Sequence, residues 1–125
     1  MARNVEGLLV YQKAVVASAG ISAIIQRDSF RQDPRLRDQL GSASERVISA
    51  MSEGSEQSTD RYYAQYLYRS RGSSREIRSQ LLVARDRRHI TETERVTLSQ
   101  KYEEIGKMLT GLIRFLQRED GEDRL

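Results

Sequence analysis

The 125-residue chain has no cysteine and no tryptophan, a single proline, a single histidine and only three lysines. The absence of cysteine removes disulfide frameworks, thiolate zinc sites and thiol nucleophiles together, and it suits a reducing compartment. A cytoplasmic location is therefore expected. The one histidine, His89, stands beside Arg87 and Arg88 with no nucleophile placed near it by spacing, so a hydrolase lacks its parts. His89, Glu92 and Glu94 have the residue types of a metal site, but Glu94 has a competing use in helix capping. No Glu-x-x-His pair, glycine-rich phosphate loop or cofactor fingerprint occurs. The pair Glu103-Glu104 reads as solvated or paired with arginine. Neither catalysis nor a metal or cofactor is expected.

Long apolar runs are also missing. Arg3 ahead of an apolar stretch, followed by Ala17-Ser18-Ala19, imitates a secretory signal, but Gln12-Lys13 interrupts it. What remains, Ala14 to Ile25, is too short and too rich in Ala, Ser and Gly to span a bilayer. No membrane association is expected.

What is present is helical periodicity, compatible with one domain over residues 1–125. Four segments emerge, at about 5–32, 34–53, 59–87 and 92–118, with a charged tail at 119–125. The first carries Leu9, Ala14, Val16, Ala17, Ile21, Ile24 and Ile25. Asp33 is suited to the N-cap and Pro34 to the first position of the second helix, whose Leu36, Leu40, Ala43, Val47 and Met51 recur at helical spacing. Gly54 is read as its left-handed stop. The third segment has a heptad seam, Tyr63, Leu67, Ser70, Ser74, Ile77, Leu81 and Ala84. Thr91 and Glu94 form a capping box for the fourth, which continues through Leu98, Tyr102, Ile105, Leu109, Leu112 and Leu116. Short links between long amphipathic helices predict an all-α, antiparallel up-down-up-down four-helix bundle.

Charge is unevenly placed. The chain has a net charge of +3, yet residues 60–88 hold eight arginines (Arg61, Arg69, Arg71, Arg75, Arg78, Arg85, Arg87 and Arg88) against Asp60, Glu76 and Asp86, a local +5. Four of the six tyrosines, including Tyr68, stand at the start of that stretch. On a helical wheel Arg61, Tyr68, Gly72 and Arg75 lie opposite the seam. Guanidiniums that neutralise phosphates, interleaved with aromatic rings, suit a nucleic-acid strand. The same pattern suits a solvated face whose arginines pair with acids on other helices. Gly72 in mid-helix costs about 1 kcal/mol relative to alanine; with Ser70, Ser73 and Ser74 it forms a small-residue patch where another helix, of this chain or of a second copy, can approach.

The segments Leu8–Ala14 (LLVYQKA), Leu36–Leu40 (LRDQL), Ser52–Gly54 (SEG), Arg71–Leu81 (RGSSREIRSQL) and Lys107–Leu116 (KMLTGLIRFL) occur in an order that resembles the bacterial 23S rRNA intervening-sequence protein family. Gly72-Ser73, then Glu76, then Gln80-Leu81 is the most telling part. The resemblance implies a non-enzymatic four-helix bundle assembled into a ring, a pentamer by expectation, with Gly72, Ser73, Glu76 and Gln80 at close helix or subunit contacts. It also implies similarity in fold to the accessory proteins of diversity-generating retroelements, basic pentameric bundles that bind nucleic acid and a reverse transcriptase. The chain departs from the family pattern at Arg46 and Ala50, where a serine and an asparagine are usual, while Glu53 and Gly54 still match. Two functions remain open: RNA or DNA binding through the arginines of the third helix, or a protein-interaction scaffold whose arginines serve subunit or partner contacts.

Overall fold

A computed structural model describes residues 4–122, of which 119–122 as helical backbone only. Among the described residues it is all-helical, with four α-helices, two short 3-10 turns and no strand. The helices are α1 (Leu9–Ile25), α2 (Pro34–Ser55), α3 (Asp60–Asp86) and α4 (Glu92–Glu122). Helix α3 packs against α2 and α4, and α1 packs against the same two helices.

The expected first helix, 5–32, is broken at both ends. Asn4 accepts a hydrogen bond from the backbone N–H of Gly7 and closes a separate 3-10 turn, Val5–Gly7. Leu8 is extended, and α1 begins after it. At the other end Arg27 is extended and a second 3-10 turn, Asp28–Gln32, follows. The reason is Phe30. Val10, Ala14, Ala17, Ile21 and Ile24 form the buried stripe of α1, and at about 100° per residue an uninterrupted helix would aim Phe30 away from that stripe. The break turns Phe30 inward, where it is fully buried.

Pro34 opens α2 as expected, but Asp33 makes no side-chain cap and spends its carboxylate elsewhere. Gly54 is also not a left-handed stop, because no glycine has positive φ among the described residues and α2 runs past it to Ser55. A Cβ at Gly54 would stand 2.7 Å from Tyr66 Cβ and 2.9 Å from Tyr63 Cδ1. This glycine is there because the start of α3 crosses it closely.

Thr59 caps α3 by accepting from Tyr62 N–H. The whole seam from Tyr63 to Ala84 is buried, with Ser70 donating to the carbonyl of Val47 at 2.6 Å and Ser74 to that of Arg71 at 2.7 Å. The seam serines thus satisfy their hydroxyls on backbone oxygens, which makes their burial tolerable. Helix α4 opens with the reciprocal capping box, Thr91 N–H to Glu94 at 2.9 Å and Glu94 N–H to Thr91 Oγ1 at 3.1 Å. Its stripe departs from a strict heptad: Ile113 is buried where Leu112 was expected, and Leu112 is half-buried. The steps 98, 102, 105, 109, 113, 116 average about 3.6, as a straight helix requires. The expected tail is helical through Glu122, and its last residues, 123–125, lie outside the described residues.

Candidate functional site

The arginines of α3 do not form one continuous face; they divide among three surroundings. At the C-terminal end Arg85 and Arg87 are paired. Arg85 binds Asp86 and Glu92 at 2.9 and 2.8 Å, and Arg87 binds Asp33 at 3.0 Å. Hydrogen bonds from Arg95 and then Arg85 hold the Glu92 carboxyl down at about 2. Arg88 adopts the left-handed region, φ 65°, which turns the chain so that His89 N–H reaches the carbonyl of Ala84. Toward α2, the Arg69 guanidinium lies over the Tyr66 ring at 4.6 Å and shares a depression of about 250 Å³ with Arg46, Glu53 and Ser73. Arg61 is exposed near the start of the helix.

The central arginines converge with side chains of α4. Arg71, Arg75 and Arg78 line a groove of about 360 Å³ whose other wall carries Lys107, Arg114, Thr110 and Gly106. Five cations therefore face one acid, Glu103, which sits 3.5 Å from both Arg78 and Lys107. Arg75 and Arg114 have no hydrogen-bond or ion-pair partner among the described residues. Arg75 and Arg78 also line an adjoining depression with Arg95 and Ser99, so the basic surface continues along the α3–α4 seam.

Arg71 is the most organised member. It donates to Thr110 Oγ1 at 3.1 Å while its guanidinium stands 4.8 Å from the centre of the Tyr68 ring. Tyr68 is itself fixed, since its hydroxyl accepts from Gln117 at 3.1 Å. Tyr68 therefore supports an arginine from below, a cation–π contact.

Tyr102 borders the groove but belongs to the core and is 1% exposed. Its hydroxyl is buried and makes no hydrogen bond with the described residues. Burial pushes the phenol well above its ordinary pKa, so it remains a proton donor through the neutral range.

Of the expected packing residues, Ser73 is buried, and Glu76 binds Arg46 of α2 at 2.8 Å while accepting from Gln80 at 3.3 Å. Arg46, a departure from the family pattern, thus becomes an α2–α3 tie, and Ala50 is buried. At Gly72 nothing lies within 4 Å of the position its Cβ would take, so of the two expected approaches, by a helix of this chain or of a second copy, the first is not seen among the described residues.

His89 joins two turns. It stacks on Phe30 with ring centroids 4.1 Å apart and is bracketed by Ser29 Oγ and Asp33 Oδ2, each at 2.9 Å. Hydrogen bonding from His89, followed by Arg87, lowers the Asp33 pKa. This cluster latches the turn after α1 to the turn before α4. Arg27 reinforces it by donating to the carbonyl of His89 at 3.1 Å and to both oxygens of Glu94. Its contact with Glu94, together with the Thr91 N–H, holds that carboxyl down at about 2. Among the described residues no group of three or more potential ligands is placed to hold a metal ion, and no helix is long and apolar enough to cross a membrane.

The α4 wall was not evident from the sequence alone. Glu103, Lys107, Thr110 and Arg114 recur at steps of four, three and four beside the buried stripe, so the polar flank was visible. Its apposition to Arg71, Arg75 and Arg78 depends on how two helices pair.

Fold and groove together define a small helical bundle with a basic cleft between its last two helices. A family model described as 23S rRNA-intervening sequence protein matches residues 6–111, and the chain belongs to that family. A comparison with curated proteins gives no match. Among solved structures, the chain is similar to a protein of unknown function from the S23 ribosomal protein family of Bacteroides thetaiotaomicron. The TM-score is 0.77 at 14% identity, covering 85% of this chain and 99% of that one. At that identity the similarity speaks to fold.

Proposed function

We propose that this chain is a non-enzymatic, cytoplasmic bundle protein that assembles with copies of itself and binds RNA or DNA electrostatically through the α3–α4 groove. The carrying observation is the groove itself, where five cations meet one acid and two arginines have no partner among the described residues. Polyanion binding releases counterions in proportion to the phosphates neutralised, so such a cleft favours nucleic acid without reading sequence. Arg71, Arg75 and Arg78 hold phosphates, and Tyr68 orients Arg71. The paired Arg85 and Arg87 contribute least.

An antiparallel up-down-up-down course is supported by side-chain pairs whose numbers run in opposite directions on adjoining helices. Lys13–Glu104 and Arg27–Glu94 join α1 and its end to α4; Arg71–Thr110 and Arg78–Ser99 join α3 to α4. Self-association, for which a pentameric ring is the expected form, draws support from the outer side of α1. Leu9, Val15 and Val16 are 58%, 45% and 61% exposed, and the only charge in α1, Lys13, is occupied by Glu104. An uncharged, apolar helix face is costly to leave in water.

The test is binding of mixed oligonucleotides as a function of salt. With a net groove charge of 5 − 1 = 4 per subunit, a slope near −0.7 × 4 implies about a 50-fold loss of affinity between 50 and 200 mM salt. Replacing Arg71→Glu and Arg75→Glu together abolishes binding and leaves helicity unchanged. Absent or salt-insensitive binding refutes the reading. Dissociation of the assembly by the same reversals, seen as a fall in mass by light scattering, identifies the arginines as subunit contacts instead.

A further inference from the structure

We infer that the outer face of α1 takes as its partner the same face of α1 on a second copy of this chain. This rests on the self-association reading and names the surface that meets α1, which that reading leaves open.

The first observation is what α1 exposes. Its buried stripe is Val10, Ala14, Ala17, Ile21 and Ile24. At about 100° per residue the opposite side carries Val16, Ala19 and Ala23, flanked by Gln12, Val15 and Ser22. All six are exposed and none is charged. Lys13, the one charged residue of α1, lies between the two sides and is bound to Glu104 at 3.0 Å.

The second observation is what the other helices expose. Asp38 and Glu45 are exposed on α2, Arg75 and Glu76 on α3, Lys107 and Arg114 on α4. An uncharged face laid over any of these strips water from a charge and returns no partner for it. Interface centres are depleted of charge for that reason. Among the described helices, α1 is therefore the one whose outer face matches that of α1 in chemistry.

Shape and extent agree. Ala19, Ser22 and Ala23 let a second helix axis approach to about 8 Å. The register set by Lys13 and Glu104 puts Leu9 level with half-buried Met108, and Leu112 and the exposed Phe115 continue the apolar surface along α4. One helix crossing alone buries little, and this extension enlarges the contact toward the roughly 1,000 Å² that a specific interface needs. Helix α3 packs on α2 and α4, as α1 does, so it lies diagonally across the bundle from α1. Assembly through α1 leaves α3 and the basic groove on the outer side, where one strand can reach the grooves of several subunits.

The test combines mass with proximity. Val16 is 61% exposed and stands at the middle of α1, so it comes near its own copy whether the paired helices run parallel or antiparallel. Val16→Glu should reduce the assembly seen by light scattering to the 14.4 kDa monomer with helicity retained by circular dichroism. The chain has no cysteine, so Val16→Cys and Gly72→Cys each introduce a single thiol, on the outer sides of α1 and α3. A short bismaleimide should join two chains of Val16→Cys and leave Gly72→Cys unjoined on a denaturing gel.

Parent mass in Val16→Glu overturns the inference. Dissociation of Val16→Glu without cross-linking of Val16→Cys above the Gly72→Cys level also overturns it, because α1 then meets a different face, and leaves self-association standing. A parent protein that is monomeric at every concentration overturns both. Should Val16→Glu lose its helicity, the cross-linking contrast decides alone.

Discussion

Tyr102→Phe makes a prediction that needs no ligand. The ring of Tyr102 is packed in the bundle core at 1% exposure, and only its hydroxyl lacks a partner. Phenylalanine preserves the ring and removes the unsatisfied group. A buried unpaired donor costs about 1–3 kcal/mol, so after a small loss of contact the substitution should stabilise the fold by about 1 kcal/mol. At about 2.1 cal/mol/K per residue, the unfolding entropy of a 125-residue chain is near 260 cal/mol/K, which converts that gain to a rise of about 4 °C in Tm. Thermal unfolding followed by circular dichroism measures it. A Tm lowered by 2 °C or more in the variant would refute the reasoning, since it would mean that the hydroxyl is already satisfied in solution.

The remaining predictions concern the two glycines with opposite surroundings and the capping acid. Gly54→Ala should destabilise by about 1–3 kcal/mol in chemical denaturation despite alanine's better helix propensity, because its Cβ would collide with Tyr66 and Tyr63. Gly72→Ala should stabilise by about 1 kcal/mol, since nothing in the chain crowds that position; loss of assembly mass in this variant would instead place another subunit against it. Glu94 has a depressed pKa, about 2 against an ordinary 4.5. Its contribution is therefore fully present above pH 4.5 and lost as the pH falls toward 2. Glu94→Gln should lower stability at pH 7 and flatten the acid dependence in that window, measured by urea midpoints at each pH.

The helices were legible because amphipathic spacing is a local record of burial. Leu36, Leu40, Ala43, Val47 and Met51, and the whole seam from Tyr63 to Ala84, are buried as their period required. The capping box at Thr91 was equally local. What failed was decided at a distance. Phe30 needed a break in the chain to reach a core built by other helices, and Gly54 was small for Tyr66, a residue on the next helix, rather than for its own backbone angle. The role of His89 was hidden because its partners, Ser29 and Asp33, lie about sixty residues earlier. The groove was half legible: the cations of α3 were evident as a local excess, whereas Lys107 and Arg114 joined them only through helix pairing.

The division of arginines also separates two responses to salt. Arg27, Arg85 and Arg87 are occupied by Glu94, Glu92 and Asp33 near the loops, where ion pairs and caps fix helix ends. The groove cations lie in the middle of α3 and α4, opposite a single shared acid. Surface pairs contribute little to stability even at low salt, so screening them leaves an apolar core to hold the fold. Counterion release acts directly on the groove and scales with every phosphate it neutralises. Raising salt should therefore strip nucleic acid from a protein whose helical content and melting temperature scarcely change. A melting temperature that fell in parallel with affinity would mean that the arginines hold the bundle together.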